Sequence, residues 1–195
     1  MTNKYTIQKP SKDEGYVVEQ NITNKFNVMI KETLEKQRQI LLKRKNDLET
    51  WGSSERQDFR RIFGISDDKA RDWILDGVKK MLKLNGELSA KNFKPTLENV
   101  HAYVVGTQDK DYEIFIGKKF VKDKMTGHDS RVATLCHEMS HYGFILNSSD
   151  VPPQGKNPLQ TSPKQFQEQA NLMVSKGDTG VMQNAYNIER YFEIE

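Results

Sequence analysis

Apolar residues recur three to four positions apart along most of this chain, and the exception is one short region near its middle. From Val17 to Leu48 the apolar positions Ile22, Phe26, Met29/Ile30, Leu34, Ile40/Leu41 and Leu48 predict one long amphipathic helix or two consecutive ones. Trp51-Gly52-Ser53-Ser54 breaks that pattern, and a shorter helix from Glu55 to Phe63 is ended by Gly64. Ser66-Asp67-Asp68 caps the next helix, with Ala70, Trp73/Ile74, Val78 and Met81/Leu82 facing inward and Asn85-Gly86 closing it. Between Phe93 and Val121 the period changes. His101–Val105 and Tyr112–Ile116 are rich in β-formers around the turn-like stretch Gly106–Asp111, which predicts a hairpin. After a loop at 147–155, the pattern predicts helices over Gln165–Ser175 and Gly180–Phe192, separated by Gly177-Asp178. The fold class expected is therefore α+β, mostly helical, with one small β-hairpin.

The stretch between the hairpin and that loop, Asp129 to Gly143, carries the chemistry. It contains His137-Glu138-Met139-Ser140-His141, an H-E-x-x-H. Residues four apart share a helix face, so both imidazoles can address one metal ion, and Glu138 can reach a water on that metal without being a ligand. Asp129 or Ser130 can cap the helix, and Gly143 can stop it. Val132, Leu135, Met139 and Tyr142 form the face expected on the core, with Thr134, His137, Glu138 and His141 opposite.

Composition narrows the class. The 195 residues are enough for one domain, read as residues 16–195 after a flexible lead-in at 1–15. A net charge of +3, with basic residues spread among nearly as many acids, argues against a nucleic-acid binder. The densest basic cluster, Lys43-Arg44-Lys45, lies near Asp47 and Glu49 and is read as a solvated helix face. No apolar run approaches a membrane span, and the N-terminus lacks the apolar stretch of a signal peptide. The single cysteine, Cys136, excludes an intramolecular disulfide; it projects about 100° from His137 and is read as a packing residue. The reading is a chain cytoplasmic as made. Its export by a leaderless route, as a bacterial toxin-like effector with a secretion-system or inhibitor partner, is the accompanying expectation.

A catalytic zinc takes three protein ligands and leaves a position open for water. The pattern H-E-x-x-H-x-x-G-x-x-H fails here, because Phe144 and Asn147 stand at its last two positions. The residues leave two candidates for the third ligand, Glu168 on a later helix and Asp150 in the following loop.

Thr126-Gly127-His128-Asp129-Ser130, followed by Thr134-Leu135-Cys136-His137-Glu138-Met139-Ser140-His141 and a loop aspartate, resembles the aspzincin peptidases, the group of deuterolysin and the lysine-specific metallo-endopeptidases. Asn184-Ala185, Glu189 and Tyr191-Phe192 extend the resemblance, which covers most of residues 30 to 193. It implies a zincin-like domain with the small sheet beside the H-E-x-x-H helix, and Zn2+ held by His137, His141 and Asp150. It also implies Glu138 as general base in an endopeptidase acting on protein or peptide substrates. The family's oxyanion-stabilising tyrosine is replaced by Pro153, which leaves Tyr186 or Tyr191 for that role. Of the two acids that hold a substrate lysine in the lysine-specific members, Glu189 matches one and Tyr186 replaces the other, so Glu189 is the candidate substrate-pocket residue and strict lysine preference is not expected. Asp129 and Glu193 are candidates to orient the imidazoles. His101 is read as structural and His128 as a surface position. Ser148-Ser149, in place of the family's Gly-Thr, and Pro153 motivate a second reading, a zinc-fold binding protein that has lost turnover. A zinc hydrolase of a non-peptide amide is a third.

Overall fold

The computed structural model describes residues 12–195. Most of the expected lead-in, residues 1–11, lies outside the described residues, and residues 12–15 already belong to a helix. That helix, α1 (Lys12–Thr50), is continuous rather than two pieces. Its inward positions include Ile30, Gln37, Ile40, Leu41, Arg44 and Leu48, all at most 3% exposed. The polar residues Gln37 and Arg44 fill places where the apolar pattern has gaps, at the seven-residue spacing from Ile30 that keeps all three on one stripe.

Arg44 corrects the reading of its cluster as a solvated face. Lys43 and Lys45 do lie outward, paired with Asp47 and Glu49. Arg44 instead turns inward, donating from Nε to the Tyr191 carbonyl and from Nη1 to Asp58 at 2.8 Å and Asp47 at 3.2 Å. Its guanidinium lies 4.1 Å from the centre of the Tyr191 ring. A fixed fork and a flat cation that stacks on an aromatic suit this site, and a lysine would supply neither. Arg44→Ala is expected to cost about 3 kcal/mol, because it leaves the Tyr191 carbonyl without its donor, removes the stacked guanidinium, and leaves Asp47 and Asp58 with only their outer partners Lys43 and Arg61. In thermal unfolding this is a fall in Tm of roughly 10 °C, and Arg44→Lys is expected to recover little of it.

Helix α2 (Ser53–Phe63) ends as expected at Gly64, which adopts φ 73° and donates its N–H to the Arg60 carbonyl. A Cβ there would lie 2.9 Å from the Val174 carbonyl oxygen, so glycine serves both the left-handed cap and the close approach. Helix α3 (Asp68–Glu87) is capped by the Asp67 carboxylate, which accepts from the Ala70 N–H. Ala70, Ile74, Val78 and Met81 are buried, whereas Trp73 is 40% exposed and reaches the Met182 carbonyl with its indole N–H.

The expected hairpin is present as β2 (Ala102–Val104) paired antiparallel with β3 (Ile114–Ile116), with Tyr103 opposite Phe115. A strand not expected from the pattern, β1 (Phe93–Pro95), runs parallel to β3 on its other side. The order β1-β3-β2 leaves β2 at an edge, and that edge lies against helix α5 (Arg131–Ser140). Between β3 and α5 is a short helix, α4 (Lys118–Lys122); α6 (Pro163–Ser175) and α7 (Ala185–Tyr191) complete the chain. One hydrophobic core, from Ile30 on α1 to Phe192 after α7, surrounds α5, whose residues from Val132 to Ser140 are all buried. The fold is thus mostly helical with a three-stranded sheet beside the H-E-x-x-H helix.

Candidate metal centre

Ser130 is the cap of α5, its hydroxyl accepting from the Ala133 N–H at 3.2 Å. Asp129, the alternative cap, takes a left-handed φ of 48° in the turn before it. The helix ends earlier than Gly143. His141 is its C-cap, and its N–H bonds the Glu138 carbonyl three residues back. The two motif imidazoles nevertheless lie side by side, ring centres 5.0 Å apart and nearly perpendicular.

The loop after α5 folds back so that Asp150 meets them. Its Oδ1 lies 3.1 Å from His137 Nε2 and 3.8 Å from His141 Nε2. Glu168, the other candidate, is exposed on α6, with Lys164 3.9 Å away as its ionic neighbour. Helix geometry accounts for this, since Glu168 sits on the solvent side of a helix whose inner face carries Phe166, Ala170 and Met173.

What holds each imidazole fixes its chemistry. His137 Nδ1 lies 2.9 Å from Glu189 Oε2, and His141 Nδ1 lies 3.0 Å from the Ser148 carbonyl oxygen. A carboxylate and a carbonyl can only accept here, so both Nδ1 atoms carry hydrogens and both Nε2 atoms turn toward Asp150. Asp150 Oδ1 is buried and has no aligned hydrogen-bond donor. Two ring nitrogens and a buried carboxylate oxygen thus converge, all within 4.8 Å of one another. Such a set is stable only around a cation or a shared proton. The chain's own residues therefore fit a divalent metal ion of the kind that takes imidazole and carboxylate ligands.

The protonation equilibria carry the same imprint. Burial alone would depress His137, but the carboxylates of Asp150 and Glu189 on its two sides raise it well above the ordinary imidazole range. His141 is lowered by burial and by the neighbouring His137 charge. Burial tends to raise Asp150, and the two imidazoles outweigh it and bring the carboxyl below its usual value. Glu138 is pushed up to about 8, chiefly by burial, with Asp150 and Glu189 adding repulsion and His137 opposing it. No lysine or arginine contributes to that balance, and a metal ion beside Glu138 would bring its carboxyl back down.

A cleft of about 440 Å³ opens over these groups. The strand segment from Asn99 to Val104 forms one wall, while Gln167 from α6 and Tyr186 from α7 stand on another. Tyr186 packs edge-on against His137 with centroids 4.9 Å apart and stacks on Phe166 at 5.1 Å. Burial raises its hydroxyl above the ordinary tyrosine range, so it remains a proton donor.

Three expectations are corrected. Tyr191 is 2% exposed and packs among Phe59, Phe63 and Phe192 under Arg44, with no part in the cleft. Five residues apart on a helix is a rotation of about 140°, so Tyr186 and Tyr191 face different ways. Glu189, three residues after Tyr186 and on its face, borders the cleft as expected of a pocket residue, but its carboxylate is engaged by His137. Asp129 and Glu193 orient neither motif histidine. They surround His128 instead, at 3.2 Å from Nε2 and 2.9 Å from Nδ1, on the exposed rim. His101, read as structural, pairs with Asp123, its Nδ1 2.6 Å away, within the segment that walls the cleft. Cys136 is fully buried, accepts from Gln37, and has its thiol pushed up to about 12 by burial.

No family model matches the chain. The fold is similar to that of a zinc peptidase from Grifola frondosa, with a TM-score of 0.62 over 83% of this chain and 90% of that one, at 19% sequence identity. A second likeness is local. Over 54 residues the chain is 33% identical to an extracellular protease of Aeromonas hydrophila, a match covering 28% of this chain and 15% of that protein's length.

Proposed function

We propose that this chain is a zinc-dependent endopeptidase of the aspzincin type, with residues 16–195 as its catalytic domain. The single observation that carries the reading is the convergence of His137 Nε2, His141 Nε2 and Asp150 Oδ1 on one point, beside a buried Glu138 carboxylate that no lysine or arginine among the described residues neutralises. The shared fold with a zinc peptidase and the local likeness to a protease support it. When bound, zinc supplies a Lewis acid that makes water a nucleophile near neutral pH and polarises the scissile carbonyl.

The chain's residues supply the rest. Glu189 and the Ser148 carbonyl hold the two imidazoles in the tautomer that offers Nε2 to the metal. Glu138 accepts a proton at its carboxylate from the attacking water and delivers it to the leaving amine. Tyr186, which lines the cleft and whose hydroxyl burial keeps protonated, is the candidate donor to the oxyanion that develops on the peptide carbonyl. The outer edge of β2, where the Val104 N–H bonds the Glu138 carboxylate, is the candidate to offer its remaining main-chain groups to an extended substrate along the cleft.

The test is removal and return of the metal. Protein purified with zinc is expected to cleave casein or a quenched-fluorescent peptide, to lose that activity on dialysis against a chelator, and to regain it with one equivalent of zinc. Zinc at one equivalent without cleavage of any peptide would favour the binding-protein reading. Activity indifferent to the chelator would remove the metallopeptidase.

A further inference from the structure

We infer that Asn184 is a positioning residue that sets the place of the Asp150 carboxylate, its side-chain oxygen holding the main chain just after the ligand while its chain neighbours hold the main chain just before it. The inference rests on the metal centre proposed above and concerns how a loop residue can serve it. Asp150 sits in a segment with no helix or strand of its own, between α5 and the turn at 153–156. A ligand on such a segment is held only as well as its neighbours are tied.

They are tied from two directions. On the near side, Ser148 is fastened to the end of α5. Its N–H donates to the Ser140 carbonyl at 3.0 Å, and its hydroxyl pairs with the Ser140 hydroxyl, which also bonds the His137 carbonyl at 2.6 Å. On the far side, Ser149 pairs in parallel with the strand-like Asn184, donating to the Gln183 carbonyl and accepting from the Ala185 N–H, both at 3.0 Å. The next bond passes over Asp150. The Val151 N–H donates to Asn184 Oδ1 at 3.3 Å. The stretch 183–185 therefore grips the chain on both sides of the ligand, before it through the Gln183 carbonyl and the Ala185 N–H, and after it through the Asn184 side chain.

The amide is itself immobilised. Asn184 is fully buried, and its Nδ2 donates to Asn187 Oδ1 at 2.6 Å and to the Met173 sulfur at 3.6 Å. Asn187, also fully buried, donates in turn to the Ala170 carbonyl. A side-chain amide with both ends engaged cannot rotate without leaving a buried polar group unpaired, so its oxygen is a rigid fixture. Asn184 further opens α7, the helix that carries Tyr186 and Glu189. One residue thus links the loop that holds Asp150 to the helix that orients His137.

The test compares zinc affinity, by competition with a chromophoric chelator, in the wild type, Asn184→Ala and Asn187→Ala. Asn187→Ala removes one anchor of the Asn184 amide but leaves its bond to Val151 in place, and so separates loosening the amide from losing it. Asn184→Ala is expected to weaken zinc binding by about 10- to 100-fold, the range for residues that support a ligand. It is also expected to shift the visible spectrum of the cobalt-substituted protein, whereas Asn187→Ala lowers Tm with a much smaller change in either. Equal affinity losses in the two variants, or none in a folded Asn184→Ala, would overturn the inference. Should Asn184→Ala not fold, amide exchange on the wild type decides. The Val151 and Ala185 amides are expected to be protected well beyond those of Gln154 and Gly155, and equally fast exchange at all four would contradict the clamp. Failure of the zinc reading has a separate signature, no zinc uptake by the wild type, and leaves the exchange measurement standing.

Discussion

Glu138→Gln is expected to remain folded, to bind one equivalent of zinc as tightly as the wild type, and to lose about 10²- to 10⁴-fold in kcat on a peptide substrate. Glutamine matches the shape of a side chain that is 7% exposed, so the packing of α5 against β2 and α7 is kept. It loses only the ability to take and return a proton. Glu138 does not contribute to the three-atom convergence of His137, His141 and Asp150, which is why metal content is expected to stay. Comparable turnover by the variant and the wild type would mean that the proton is handled elsewhere. Loss of zinc together with activity would mean that Glu138 is a ligand.

Asp150→Ala is expected to behave in the opposite way, losing the metal and with it all measurable cleavage. Removing a direct ligand should weaken zinc binding beyond the roughly 100-fold that marks the upper range for supporting residues. The remaining pair of imidazoles would hold the ion only through water. Glu168→Ala, on the exposed face of α6, is expected to leave zinc content and activity unchanged. Metal titration of both variants, read alongside cleavage, separates the two candidate ligands. Retention of tight zinc binding by Asp150→Ala would remove Asp150 from the centre.

The parts of this molecule that were legible from sequence are those governed by short periods. The helix at 131–140 was legible in its existence, in a cap at Asp129 or Ser130, and in the one-turn spacing of His137 and of His141 at its C-cap, because helical period and capping chemistry are local. The strands β2 and β3 were legible from β-branched and aromatic runs flanking a turn. Strand β1 was not, since Phe93-Lys94-Pro95 is three residues long and acquires its character only by pairing with β3. The offset between Tyr186 and Tyr191 already showed that the two face different ways and could not both serve one cleft, while which of them reaches it depends on tertiary packing.

Other features depend on distant contacts, and no local pattern carries them. Arg44 looked like one member of a basic surface run until Tyr191, 147 residues away, supplied a ring and a carbonyl. Glu189 showed its helix face but not its hydrogen bond, which depends on where His137 lies. The loop substitution Ser148, read as a departure that put turnover in doubt, proves to be a fastening. Its carbonyl orients His141 and its hydroxyl meets Ser140. Of the two candidate tyrosines, Tyr186 is the one that reaches the cleft.

The most direct measurement is an anomalous difference map at the zinc absorption edge from crystals of the full chain grown with one equivalent of zinc. The expected result is a single strong peak about 2 Å from His137 Nε2, His141 Nε2 and an Asp150 carboxylate oxygen, with the Glu138 carboxylate outside bonding distance. A peak held instead by His128, Asp129 and Glu193 on the rim, or no peak between the two motif histidines, would contradict the metal centre and the hydrolytic chemistry built on it.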